Sequence, residues 1–181
     1  MPILVKMVFK FFILIICLVS LNFSVDSANK PETQSNDNKA SIIDLILIEK
    51  AKRKMSLLYK GKVIKTYKVA LGFEPLGHKQ QEGDGKTPEG IYSISYKNSG
   101  GQFHKALKVS YPNKKDQANA RKLGVSPGDF IMIHGLGKSF SWFGKAHVLK
   151  DWTLGCVAVT DAEIDEVYKL TSVGAKVEIR P

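Results

Sequence analysis

Hydrophobic residues in this chain form short runs separated by turn-forming residues, and this pattern predicts a series of β-strands. The runs are rich in Ile, Leu, Val and Tyr, and Lys60-Gly61 between two of them is typical of a hairpin turn. The alternation is imperfect over 62–70, where lysines fall on both faces. The predicted strands cover 43–49, 55–59, 62–70, 91–96, 107–111, 130–134, 156–159 and 175–179.

Two segments carry the start and stop signals of short helices. Asn113 is a candidate N-cap and Gly124 a candidate C-cap for a polar surface helix between them. Thr160 and Glu163 form the pattern of a capping box, which predicts a helix over 161–170. Many short strands with few helices and no internal repeat predict a mainly β domain, a mixed sandwich or barrel with one or two short helices.

The first 41 residues differ in composition from the rest of the chain. Lysines precede an uncharged apolar run over 11–21, which is shorter than a membrane span and typical of a secretory signal peptide. We expect cleavage after Ser27, so that 1–27 is a signal peptide; the alternative is an uncleaved N-terminal anchor, which would contact the membrane. Residues 28–41 are polar and predict a flexible tether. The globular domain then covers 42–181.

The chain is basic, with 27 Lys and Arg against 17 Asp and Glu, a formal net charge of +10. Such a charge could attract nucleic acid, anionic lipid or an anionic wall polymer, and it is equally typical of a soluble basic surface. Helix-turn-helix, RNA-binding and zinc-finger patterns are absent from the sequence, so we expect no nucleic-acid partner.

The two cysteines, Cys17 and Cys156, exclude a scaffold with several disulfides. Removal of the leader would leave Cys156 alone, and a single cysteine in an exported domain is a candidate reactive thiol, although a buried, inert cysteine is also common. His134 ends one predicted strand and Cys156 begins another. If these strands pair, His134 could act as the base for the thiol, and 136–152 would lie over both as a lid.

The motifs around these residues resemble the L,D-transpeptidase catalytic-domain family, the YkuD-type domain. Its signature is a histidine followed by [ST]-x-G-C, and here His134-Gly135 precedes Thr153-Leu154-Gly155-Cys156. Either short motif alone would be weak, but the resemblance covers roughly 44–181. The other similar stretches, in the same order, are G-D-G-K-T-P-E-G at 83–90, S-Y-P-N at 110–113 and D-W-T-L-G-C-V-A-V-T at 151–160.

The resemblance implies a fold of the L,D-transpeptidase type and an enzyme that acts on peptidoglycan stem peptides in the periplasm or cell envelope of a bacterium. Cys156 would attack the carbonyl carbon between an L-centre and a D-centre, and His134 would transfer the protons. Gly135 would orient His134 through its backbone carbonyl. The N–H groups of Gly155 and Cys156 would bind the oxyanion, and the Thr153 hydroxyl would support the site. No cofactor and no metal is implied.

Two positions depart from the family pattern. Many members carry an arginine two residues after the cysteine, where this chain has Ala158, and many carry a histidine where it has Leu154. The substrate carboxylate would then need another partner, and the candidates lie in the lid segment. They are Lys145, His147 and Lys150, with Trp152 as a further candidate for substrate contact.

The residues leave the outcome of the reaction open. An amine acceptor would give a 3–3 crosslink or attach a protein to the wall. Water would give an L,D-carboxypeptidase, or an amidase that releases a wall-attached protein, through the same thioester. A non-catalytic wall-binding protein with this fold is the alternative from another functional class.

Overall fold

The computed structural model describes residues 43–181. The predicted signal peptide, 1–27, and the predicted tether, 28–41, lie outside the described residues. Within the described part of the chain, helices are all too short or too polar to cross a membrane.

Eight strands form a single curled sheet, a half-barrel, which confirms the predicted mainly β class. The order across the sheet is β3-β2-β1-β8-β4-β5-β6-β7, so β8 lies between β1 and β4. The strands are β1 (Leu45–Glu49), β2 (Lys54–Tyr59), β3 (Lys62–Lys68), β4 (Gly90–Asn98), β5 (Ala106–Val109), β6 (Met132–His134), β7 (Val157–Ala158) and β8 (Lys176–Arg180).

Both predicted helices are present, with the predicted caps. In α1 (Lys114–Leu123), the Asn113 side chain accepts N-terminal backbone hydrogen bonds, and Gly124 ends the helix with φ 67°. Thr160 and Glu163 form the capping box of α2 (Asp161–Leu170). α2 buries Ile164 and Val167 against the core near β5 and β6. Two short 3₁₀ segments, Lys50–Lys52 and Ser141–Leu149, complete the helical content of 43–181.

β3 lies at one edge of the sheet and is more exposed than its alternation predicts. Tyr67 is buried, but Val63, on the same predicted face, is 59% exposed. A register shift between Leu57 and Leu58 of the neighbouring β2 breaks the alternation. β3 ends at Lys68, and Ala70 instead forms an isolated bridge to the strand at the far edge of the sheet.

β6 lies antiparallel to β5 and parallel to β7. In the β6–β7 register, His134 is opposite Ala158, so the chain reaches Cys156 just before β7 begins. The strand is shorter than the predicted 156–159. Val159 makes the last ladder hydrogen bond, to the His134 carbonyl, and the chain then enters the cap of α2 at Thr160. The two candidate catalytic residues therefore lie at the end of β6 and directly before the neighbouring β7.

Lys50 connects the end of β1 to the long turn-rich segment 72–89 from inside the protein. Its side chain is 2% exposed, and its ammonium lies 2.7 Å from the Glu89 carboxylate. The ammonium also donates to the carbonyls of Gly77 at 2.6 Å and Thr87 at 3.0 Å. A buried ammonium with three acceptors has a partner for each of its N–H groups. Removing it would leave those three acceptors without their hydrogen-bond donor.

We expect Lys50→Ala to lower the free energy of unfolding by about 3 kcal/mol, because Glu89 and two carbonyls would lose their buried partner. Lys52→Ala is the matched control, since Lys52 is 65% exposed and its pair with Glu49 lies at the surface. Urea unfolding followed by tryptophan fluorescence measures both. Equal midpoints for the two variants would contradict a structural role for the buried ammonium.

Candidate active site

His134 and Cys156 line one groove of about 1010 Å³, which is a site of the size that a peptide could enter. Aromatic side chains form much of its wall, among them Phe130, Phe140 and Trp152. The sequence predicted that the histidine and the cysteine would meet only if their strands paired. The observed pairing of β6 with β7 fulfils that condition.

His134 is 1% exposed and has a fixed orientation. Its Nδ1 lies 2.6 Å from the Gly135 carbonyl oxygen. Because a carbonyl can only accept, Nδ1 carries the hydrogen and Nε2 holds the free lone pair. The Phe103 ring lies 4.2 Å from the imidazole, centroid to centroid, and Trp152 meets it edge-on at 6.1 Å. The neutral ring is therefore held ready to accept a proton through Nε2.

The backbone after His134 is held by the first residue of α2. The Asp161 carboxylate accepts from the N–H groups of Leu136 at 2.7 Å and Gly137 at 2.9 Å. A Cβ on Gly135 would lie 2.6 Å from the same carboxylate oxygen and 2.8 Å from Ile164. Only glycine allows this contact, so the helix packs directly on the carbonyl that orients the histidine. Asp161 was not predicted as a site residue; its place just after an N-cap was the available signal.

The Thr153-Leu154-Gly155-Cys156 turn is closed by its own hydrogen bonds. The Thr153 hydroxyl donates to the Cys156 carbonyl at 2.8 Å and accepts from the Gly155 N–H at 3.1 Å. Gly155 has φ 129°, and a Cβ there would lie 2.6 Å from the Lys86 carbonyl oxygen. The turn therefore requires glycine, and it presses against the 83–90 segment. Leu154 points outward and is 73% exposed.

The electrostatics of the groove keep both reactive groups neutral at rest. Burial raises the pKa of the Cys156 thiol, while a backbone hydrogen bond at Met132 and the charge of Lys79 partly oppose the rise. Burial lowers the pKa of His134, against the effect of its bond to the Gly135 carbonyl. The thiol Sγ lies 3.4 Å from the Phe130 carbonyl, to which an S–H can donate. At rest the thiol therefore carries its proton.

Lys79 is a charged residue of this groove that the sequence analysis did not select. Its side chain is 3% exposed, and its ammonium contacts the Asp84 carboxylate at 2.8 Å and the Gln81 carbonyl at 2.9 Å. Asp84 is also fixed, because it accepts backbone N–H groups of the surrounding turn. No pattern in the sequence marks Lys79, since a lysine in a polar turn is ordinarily exposed.

The lid segment, 136–152, contains the 3₁₀ stretch Ser141–Leu149, which is interrupted at Gly144. Next to the groove it encloses a cavity of about 400 Å³, here called the lid pocket. Trp152 and Phe140 line both spaces. The lid pocket is lined by Leu136, Phe140, Phe143, Ala146, His147, Leu149, Lys150 and Trp152.

The four lid residues predicted to contact substrate therefore do not all lie in the same place. Trp152 lines the catalytic groove, whereas His147 and Lys150 line the lid pocket, and Lys145 is exposed on the lid. Across residues 43–181, His, Cys, Asp and Glu side chains form no group of three or more that could hold a metal ion.

Comparison with known protein families gives a match over nearly all of the described chain. The family model of the L,D-transpeptidase catalytic domain, YkuD, matches residues 43–179. A curated protein of Escherichia coli strain K12, named "Putative L,D-transpeptidase YafK", is 30% identical over 112 residues, which are 61% of this chain and 38% of that protein. The chain thus spans well under half the length of this relative.

Solved structures show the same fold. The helical cell shape determining protein Pgp2 from Campylobacter jejuni is 23% identical with a TM-score of 0.59, over 80% of this chain and 52% of that one. Bd1075 from Bdellovibrio bacteriovorus is 25% identical with a TM-score of 0.54, over 75% and 46%. An L,D-transpeptidase from Xylanimonas cellulosilytica is 14% identical with a TM-score of 0.50, over 78% and 62%.

The rate of Cys156 alkylation by iodoacetamide should depend on His134. In the unmodified chain, we expect fast alkylation near pH 7 that declines only below pH 6.5, because the pKa of His134 is lowered from that value. In His134→Ala, the rate at pH 7 should fall about 100-fold and recover only above pH 9, because burial raises the pKa of the thiol from 9.0.

His104→Ala is the matched control for this measurement, since His104 is 42% exposed and pairs with Asp165 away from the groove. It should alkylate like the unmodified chain. A His134→Ala profile that coincides with the control would exclude His134 as the base.

Proposed function

The chain belongs to the L,D-transpeptidase catalytic-domain family, and we propose that it transfers the acyl group of a peptidoglycan stem peptide through Cys156. The observation that carries this proposal is the pairing of β6 with β7, which brings His134 and Cys156 to one groove. The hydrogen bond from His134 Nδ1 to the Gly135 carbonyl supports the role of the histidine as base. The fold and motifs support the substrate class.

In the first half of the reaction, His134 Nε2 takes the proton of the Cys156 thiol. The thiolate attacks the carbonyl carbon of the amide between an L-centre and a D-centre, and a C–S bond forms. The imidazolium then gives its proton to the departing amine as the C–N bond breaks. The products are a thioester on Cys156, a free D-amino acid and a neutral histidine.

The oxyanion of the tetrahedral intermediate is stabilised by the backbone N–H of Cys156 in this proposal. The sequence led us to expect that the Gly155 N–H also binds the oxyanion. In this proposal it does not, because this N–H already donates to the Thr153 hydroxyl. Gly155 instead permits the tight turn that leads into Cys156. Thr153 holds that turn closed from both sides.

In the second half, an acceptor amine attacks the thioester carbonyl, and His134 takes its proton. The C–S bond breaks, the thiol regains the proton, and a new amide is released. The same steps with water in place of the amine give a carboxylic acid, which would make the protein a carboxypeptidase or an amidase. We propose that the reaction takes place in the periplasm or cell envelope, as the leader predicts.

Lys79 binds the carboxylate of the donor peptide in this proposal, in place of the arginine that many relatives carry. Position 158 supplies no cation, because the residue there is an alanine, Ala158, which is fully buried in β7. The Lys79 ammonium has three N–H donors, of which Asp84 and the Gln81 carbonyl engage two. The third donor and the position of Lys79 in the groove suit a carboxylate ligand.

The proposed activity can be tested with the full chain and disaccharide-tetrapeptide muropeptides, read by mass spectrometry. We expect loss of the terminal D-alanine together with a linked dimer. Cys156→Ala should abolish both products, because the attacking sulfur is gone, and Cys17→Ala is the matched control that should retain them. Loss of D-alanine without a dimer would assign water as the acceptor. Unchanged muropeptides with all three proteins would contradict the proposal and favour a wall-binding role.

Lys79→Met should raise KM for the tetrapeptide donor roughly tenfold, because a charge-assisted hydrogen bond to the carboxylate is lost. Lys79→Arg should restore most of the affinity, since the charge returns. Lys68→Met is the matched control, because Lys68 is exposed on the edge strand β3. Equal KM values for Lys79→Met and Lys68→Met would exclude Lys79 from substrate binding.

A further inference from the structure

The lid pocket differs in chemistry from the catalytic groove beside it. Hydrocarbon and aromatic side chains form most of its lining, including Leu136, Phe140 and Phe143. The side-chain nitrogens among the lining residues belong to His147, Lys150 and the indole of Trp152. A cavity of about 400 Å³ with this lining suits an apolar group that carries few polar atoms.

His147 is the polar side chain inside this pocket, and neither of its ring nitrogens has a hydrogen-bond partner among the described residues. The side chain is 6% exposed. Burial lowers the pKa of His147, so the ring is neutral and presents one donor and one acceptor. Buried polar groups are ordinarily bonded, and a histidine in this condition indicates a partner that enters from outside the chain.

The lid segment that forms the pocket combines exposed apolar side chains with lysines. Trp142 is 75% exposed, Leu149 is 86% exposed, and the Phe143 ring, which stacks on Trp142, is 41% exposed. Lys145 and Lys150 are exposed within the same short segment. Trp and Lys together at a surface are characteristic of contact with the interface of an anionic membrane.

A lipid chain fits this pocket better than a peptide segment does. Each residue of a peptide would bring an N–H and a C=O into a space whose side chains offer few partners, and unpaired amides are costly to bury. An acyl chain brings only hydrocarbon and, at its end, one ester carbonyl, which the N–H of His147 could bind. Lys150, which lines the pocket, and the nearby Lys145 of the same segment complement a phosphate.

We propose that the lid pocket binds an anionic phospholipid, with one acyl chain against Leu136, Phe140 and Phe143 and the ester carbonyl on His147. The phosphate lies at Lys145 and Lys150. Since Trp152 and Phe140 line both the pocket and the catalytic groove, a bound lipid would hold the groove at the membrane surface. This site does not depend on the reaction of Cys156.

Binding can be measured with the full chain and dihexanoyl phosphatidylglycerol, kept below its micelle concentration. The chain has two tryptophans, Trp152 in the wall of the pocket and Trp142 stacked on the lining residue Phe143, so its fluorescence reports on the pocket. We expect a saturable change with the anionic lipid and a much weaker one with dihexanoyl phosphatidylcholine. Glycerol phosphate, which lacks the chains, should produce no change.

Variants separate the pocket from general charge attraction. The double variant Lys145→Glu/Lys150→Glu should weaken binding about tenfold or more. The control Lys62→Glu/Lys68→Glu makes the same change of charge on the exposed edge strand β3 and should bind like the unmodified chain. The leader is common to all of these proteins, so differences among them arise from the lid.

His147→Leu should raise the melting temperature slightly, because it removes buried unpaired nitrogens, and should still weaken lipid binding. Three results would overturn the proposal: equal binding of the two lipids, equal weakening by both double variants, or no saturable change. Stronger binding of N-acetyl-phenylalanine amide than of the anionic lipid would also overturn it, in favour of a peptide occupant. Muropeptide turnover is measured with the same proteins. It shows whether the proposed reaction of Cys156 holds when lipid binding does not, or the reverse.

Discussion

The parallel pairing of β6 with β7 determines where His134 and Cys156 lie, although β7 has only two residues. Such a short strand cannot hold its own register, and its position is fixed from both sides. Ala158 exchanges backbone hydrogen bonds with Ala70 at 2.8 and 3.1 Å, and Val159 bonds the His134 carbonyl at 3.0 Å. Asp161, at the start of α2, holds the backbone that follows β6. The geometry of the site thus depends on contacts from distant parts of the chain.

A second constraint is the burial of His134 and Cys156 themselves. Burial raises the pKa of Cys156 and lowers that of His134, so the environment disfavours a standing thiolate–imidazolium pair. In the proposed reaction, charge appears only while the proton moves, and the low local dielectric then strengthens every nearby donor. Lys79 is the fixed cation of the groove that lowers the pKa of the thiol.

The sequence predicted the features that depend on local interactions. The caps of both helices follow from hydrogen bonds between residues three apart. The family model confirms the resemblance that the motifs indicated. The sheet order was beyond such reasoning, since β8 pairs with strands that are distant in the chain. Lys50 and Lys79 were missed for a related reason: their acceptors come from turns whose folding brings carbonyls together, and no pattern around either lysine records this. The sequence analysis predicted that His147 contacts the substrate, but its side chain lines the lid pocket and not the groove that holds Cys156.

The position of β8 has a consequence for the order of folding. β8 pairs parallel with β1 and antiparallel with β4, and it is the strand that joins β1–β3 to β4–β7. Until residues 176–180 have been synthesised, each half of the sheet exposes an edge with unpaired backbone groups. The sheet therefore cannot close progressively during synthesis, and its formation requires contacts between ends of the domain, which slow folding. Until β8 pairs with both of them, β1 and β4 keep open edges, and such edges are prone to aggregation.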